Sequence, residues 1–162
     1  MKERRFGRLG ARAPTSADEA FLDALYLYSR PDLGALPVPR SVIEGIARHQ
    51  RAMQVEDYAR RYAALETWLV TDGEVPVARI VLARSDGVLR VVDLSVAPAA
   101  RRKGIAGGVL RALQDECVRV TLRVRAGNLA ARRLYDRLGF TPVRVDDATL
   151  ELEWGQKEKH PG

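Results

Sequence analysis

The chain is 162 residues long, 46% hydrophobic and 30% charged, with a formal net charge of +6 at pH 7. That length buries one core without disulfides or metals, and the single cysteine, Cys117, excludes an intrachain disulfide and suits a reducing compartment. Two scattered histidines, His49 and His160, exclude a metal centre, and no run of ~18 apolar residues is present to span a membrane.

The basic N-terminus, Met1 to Arg8, lacks the apolar segment of a secretory signal, so a cytoplasmic protein is expected. One domain is expected over residues 1–154, followed by a polar tail at 155–162 that holds His160. Residues 4–12 read as a first strand interrupted by Gly7 and Gly10. Ser16-Ala-Asp-Glu19 has the form of a capping box and opens a helix to about Ser29, with Phe21, Leu25 and Tyr28 on one face. Pro31, Pro37 and Pro39 make 30–40 a loop. Ser41 then caps a second helix whose buried side carries Ile43, Ile46, Ala47 and Met53.

From Glu66 the rhythm changes to strands. Thr67–Thr71, Val75–Ala83 and Leu89–Val96, joined by turns at Asp72-Gly73 and Ser85-Asp86-Gly87, predict an antiparallel meander. Residues 93–106, from Asp93 to Ala106, then run from an apolar strand through the stop at Pro98 into a basic turn and a helix start. A helix N-terminus presents unpaired N–H groups and about half a positive charge, which suits phosphate. Arg101, Arg102 and Lys103 add cations there, and Gly104 and Ala106 lack the bulk that would hold a pyrophosphate away from the main chain.

The helix from about Gly104 to Glu116 aligns Ile105, Val109, Leu110 and Leu113, and ends near Cys117, which reads as a buried structural thiol rather than a nucleophile. Val118–Val124 alternates as a strand. Asn128 caps a helix to Leu138, which Gly139 ends in the left-handed position. Strands at 141–146 and 149–154 complete the pattern.

That last helix carries a second motif, Asn128-x-x-Ala131-x-x-Leu134-Tyr135-x-x-x-Gly139-Phe140. The two motifs, in this order and about two dozen residues apart, resemble the GNAT superfamily of acetyl-CoA-dependent N-acetyltransferases over roughly residues 66–154. The resemblance implies an α/β (α+β) fold: a central mixed, mostly antiparallel twisted sheet of about six to seven strands flanked by about four helices. The junction at Glu116-Cys117-Val118 is shorter than is usual in that superfamily, so either the helix ends early or the next strand starts later.

The resemblance also implies roles. Arg101, Arg102, Lys103, Gly104, Ile105, Ala106 and Gly107 would hold the CoA pyrophosphate, and Asn128, Ala131 and Tyr135 the pantetheine arm. Leu94, Ser95 and Val96 would bind the pantetheine amides as an added strand does. Relatives splay this strand from the next and bulge it, so the N–H of Leu94 or Val96 becomes the oxyanion donor. Tyr135 is the expected general acid, since a phenol of pKa ~10 stays protonated at neutral pH. Asp93 is the expected base, though a carboxylate near ~3.9 is poorly matched to a lysine ammonium near ~10.4. Binding the ammonium, acting through water, a pKa raised by burial and a purely structural role are the other readings of Asp93, and Glu66 is a second candidate base.

The acceptor pocket is expected from the N-terminal helices, with Tyr26, Tyr28, Arg30, Tyr58, Tyr62 and Trp68 as candidate lining. Arginine clusters at 101–103 and 119–133 flank the cofactor site, so attraction of CoA phosphates accounts for part of the net charge without nucleic acid. The implied activity is acetyl transfer from acetyl-CoA to a primary amine of a small molecule, peptide or protein, in a ternary complex. The alternatives are a toxin acetylating aminoacyl-tRNA and a non-catalytic acyl-CoA-binding module. No metal and no membrane partner are expected, and a homodimer is allowed.

Overall fold

The computed structural model describes residues 2–156; most of the expected tail, with His160, lies outside the described residues. The stretch read as one strand at 4–12 is a hairpin of β1 (Glu3–Phe6) and β2 (Leu9–Arg12), because Gly7 at φ 61° turns the chain there. The meander follows as β3 (Leu65–Asp72), β4 (Val75–Ser85) and β5 (Val88–Val96), and β6 (Arg119–Arg125), β7 (Thr141–Val145) and β8 (Thr149–Gly155) complete an eight-stranded sheet. Spatial order is β1-β2-β3-β4-β5-β6-β8-β7, with only β5 and β6 parallel among the described residues. Splitting the first strand accounts for a count above the expected six to seven.

Among the described residues five helices accompany the sheet: α1 (Glu19–Tyr28), α2 (Pro31–Gly34), α3 (Arg40–Arg61), α4 (Ile105–Glu116) and α5 (Leu129–Arg137). The short α2 lies in the expected 30–40 loop and starts on Pro31, whose fixed φ favours a first helical position. The box before α1 is formed one residue earlier than expected. The Thr15 N–H donates to Asp18 Oδ2 at 2.7 Å, and Ser16 opens a short 3-10 turn instead of capping. Asp18 also takes a two-point contact from Arg12 at 2.7 and 2.9 Å, which, with the Thr15 amide, holds its carboxyl well below the usual range. α3 likewise begins at Arg40 with Pro39 at its cap, so Ser41 falls inside the helix and caps nothing.

The predicted α1 face is rotated, and the predicted α3 face holds at Ile43, Ile46 and Ala47 but not at Met53. α1 buries Leu22, Leu25 and Leu27 and leaves Tyr28 55% exposed; α3 buries Ile43 and Ala47 and leaves Met53 55% exposed. The place expected for Met53 is taken by Arg51, whose guanidinium pairs with Glu19 and with Asp23 (2.8 Å). α1 to α3 pack over one face of the sheet, and α4 and α5 cover the other. The larger core lies on that second face, where Ile80, Leu82, Leu89, Val120 and Leu122 meet Val109, Leu110 and Leu113. The tight junction after α4 resolves through a later strand: Cys117 ends the helix in extended backbone and β6 starts at Arg119. Cys117 is half-buried against the core rather than fully enclosed. No helix among the described residues is long and apolar enough to cross a membrane.

Candidate active site

β5 and β6 pair only from Leu89–Val91 to Val120–Leu122 and separate beyond Val91. The β4–β5 register slips at the same level: Val81 faces Asp93 and Leu82 faces Val91, so Val92 is an extra residue, a β-bulge. Past the bulge, the Ala97 N–H donates to the Val77 carbonyl at 2.8 Å, and Ser95 pairs with Arg79 two residues earlier in the same alternation. In an antiparallel ladder the intervening residues point their main-chain groups outward. Leu94 and Val96 therefore turn their N–H and C=O groups into the gap that β6 vacates. The Val96 carbonyl accepts there from Arg101 Nε at 3.3 Å.

The gap is a cleft of about 900 Å³ that opens toward both faces of the sheet. It brings together Asp93, Leu94, Ser95, Val96, Arg101, Arg102, Ala106, Asn128, Ala131 and Tyr135 from the expected set. Gly104, Ile105 and Gly107 line an adjoining cavity of about 380 Å³ at the start of α4, which shares Val96, Arg101, Arg102 and Ala106. Lys103 lines neither and stands exposed in the turn. Arg102 and Gly104 take positive φ, 64° and 74°, which folds the turn tightly before the first free amides of the helix. A Cβ at Gly104 would meet nothing within 4 Å, so backbone conformation, not crowding, calls for glycine there.

On the α5 side, Asn128 Oδ1 accepts from the Ala131 N–H at 3.2 Å, so this side chain is a helix cap at the cleft wall. Tyr135 is half-buried and meets Phe140 edge-on, ring centroids 5.9 Å apart. Burial, and secondly the negative charge of Asp93, push its hydroxyl above the ordinary tyrosine pKa, keeping it a proton donor.

Asp93 is committed to partners. Its carboxylate ion-pairs with the buried guanidinium of Arg79, which also donates to Gln54 Oε1 of α3 at 3.1 Å, and Ser95 Oγ donates to it at 3.3 Å. Glu66 lies outside the cleft, accepting from Trp68 Nε1 at 3.1 Å and Arg84 at 3.3 Å. Of the aromatic and basic residues expected at the acceptor end, Tyr26 and Arg30 line the cleft. Tyr28 faces solvent, Trp68 is core, and Tyr62 lines a separate hollow beside Arg90 and Glu151. Tyr58 does not line the cleft, and its hydroxyl is pushed up to about 12 by burial and then by the charge of Asp93.

Leu25, Ser29, Gln54 and Arg79 were not anticipated at or beside the site, whereas Arg123 and Arg125 come from the arginine cluster at 119–133 that was expected to flank it. One signal was available: Arg79 is the only charge in the apolar run Val75–Ala83, and a charge inside a central strand needs a partner.

Residues 33–140 match the acetyltransferase (GNAT) family. No curated protein sequence matches the chain. Solved structures are similar in fold at low identity. The PaiA N-acetyltransferase of Thermoplasma acidophilum, in complex with coenzyme A, superposes at TM-score 0.65 with 15% identity, covering 91% of this chain and 99% of its own. An acetyltransferase of Thermus thermophilus reaches 0.65 with 16% identity, covering 91% and 97%. The ribosomal-protein-S18-alanine N-acetyltransferase of Escherichia coli reaches 0.62 with 16% identity, covering 91% and 93%. With two thirds of its length matched and the cleft formed where the two motifs meet, the chain belongs to the GNAT acetyltransferase family.

Proposed function

We propose that this acetyltransferase moves the acetyl group of acetyl-CoA to a primary amine by direct attack in a ternary complex, with residues 1–154 acting as one domain. The observation that carries the reading is the main chain of Leu94 and Val96, which has no strand partner on its outer side and faces the cleft beside the positive-φ turn at 102–104. The turn and the first amides of α4 suit a pyrophosphate, with Arg101 and Arg102 supplying charge. Leu94 and Val96 suit the pantetheine amides, and a free N–H of this pair suits the thioester oxygen as negative charge develops on it.

The neutral amine nitrogen attacks the thioester carbon, the nitrogen gives its surplus proton to solvent water, the C–S bond breaks, and the departing thiolate takes a proton from a donor that water then reprotonates. Tyr135 serves as the donor of that proton. Asp93 is assigned to holding the amine rather than to removing its proton. Its charge is balanced by Arg79, yet a carboxylate has about four lone-pair sites, and Arg79 and Ser95 leave room for an N–H. Thiol release from acetyl-CoA in the presence of primary amines tests the activity; no release with any amine would contradict it. Asp93→Asn is expected to raise the acceptor KM roughly tenfold while kcat stays within about threefold. A kcat loss that shrinks as pH rises would instead make Asp93 the base, and steady-state kinetics across pH separates the two.

A further inference from the structure

We infer that the amine acceptor carries a carboxylate of its own, held by Arg123 and Arg125 at the mouth of the cleft; this rests on the acetyltransferase reading above. Alternation along β6 sends Val120, Leu122 and Val124 into the core. Arg123 and Arg125 therefore stand on the opposite face, the one that also carries Asp93 and is covered by α1 to α3. There they line the same cleft as Ser29 and Arg30 of the α1 end and Gln54 of α3.

The charges around the cleft are unequal. Arg30, Arg101, Arg102, Arg123 and Arg125 line it, against Asp93 alone, and Asp93 is ion-paired with Arg79. Arg101 and Arg102 belong to the phosphate turn, and Arg30 is neutralised by Asp32 through contacts of 3.0 and 2.8 Å. Arg123 shares Glu151, at 3.4 Å, with Arg90, and is near enough to Asp146 for the two charges to interact. Arg125 has no side-chain hydrogen bond or ion pair among the described residues.

The unpaired Arg125 guanidinium, with the part-paired Arg123 on the same face, repels a polyamine or a basic peptide entering this cleft. Both attract a carboxylate, which guanidinium binds in a two-point geometry. The carboxylate has two sources, a small amino acid or an acidic side chain next to the amine of a peptide. The chemistry recognised is the same.

The test is thiol release with an ω-amino acid, its neutral amide, a diamine of equal length, and two peptides with acidic or basic residues beside a free N-terminus. Acetyl-CoA binding is followed by calorimetry on the same preparations. The acidic member of each set is expected to exceed the neutral and basic ones roughly five- to tenfold in kcat/KM, with the advantage shrinking as salt is added. Arg125→Glu should reverse the order, and the milder Arg125→Gln should level it. A small acid or an acidic peptide as the better substrate supports the inference equally and tells the two sources apart. Equal or better turnover of the amide, the diamine or the basic peptide overturns it, and so does the absence of turnover with all five while acetyl-CoA still binds. Absence of acetyl-CoA binding instead fails the underlying acetyltransferase reading.

Discussion

Ala106→Glu is expected to abolish measurable acetyl-CoA binding, a loss of more than roughly 100-fold in affinity, while the protein stays folded. Ala106 lies in the first turn of α4 and lines both the main cleft and the adjoining cavity. A glutamate there fills the space assigned to the pyrophosphate and sets a negative charge against it. The change is compatible with the helix itself, because an acidic side chain in the first turn is favoured by the helix dipole. Gly104→Glu is the poorer probe, since φ 74° would strain any side-chain-bearing residue and mix folding with binding. Calorimetry with acetyl-CoA, beside a thermal melt, checks the prediction; native affinity in the folded variant would remove the turn from the site.

Tyr135→Phe should lower kcat about 100-fold and leave acetyl-CoA affinity nearly unchanged, because it removes only the hydroxyl assigned to protonating the thiolate. The pH dependence carries a sign. Burial and the charge of Asp93 raise the tyrosine pKa, so the hydroxyl is protonated at neutral pH and ionises only above the ordinary value of ~10. The wild-type rate should therefore fall on the alkaline side only as that raised pKa is approached, and the phenylalanine variant should lack this limb. Stopped-flow thiol detection across pH measures both. Wild-type turnover in the variant would make Tyr135 a packing partner of Phe140.

The turn and helix caps of the cofactor site were legible in the chain because local chemistry dictates them. Pro98 ends β5, a run of three cations precedes a glycine at a helix start, and Asn128 and Gly139 bracket α5 as caps. The splaying of β5 from β6 came only through the family resemblance. Nothing in the alternation of Arg119–Arg125 says that pairing stops after Leu122, since that depends on the bulge at Val92 and on how β6 is held by β8.

The acceptor half was obscure for a different reason. Tyr28 and Met53 satisfy a helical period as well as Leu22 and Arg51 do, and apolar spacing cannot tell that an arginine will be buried when Glu19 and Asp23 of another helix wait to pair with it. The Asp93–Arg79–Gln54 link joins three elements, so no single stretch of sequence contains it. Thr15 displaced Ser16 as the cap because Asp18, rather than Glu19, folds back on the backbone while holding Arg12.

The central claim is that acetyl-CoA lies along the unpaired edge of β5 and over the start of α4. Amide hydrogen exchange read residue by residue, with and without saturating acetyl-CoA, tests it most directly. The N–H groups of Leu94 and Val96 and those of residues 104–107 should exchange fast in the free protein and slow markedly in the complex. Binding that leaves those amides fast and protects another part of the surface would contradict the account.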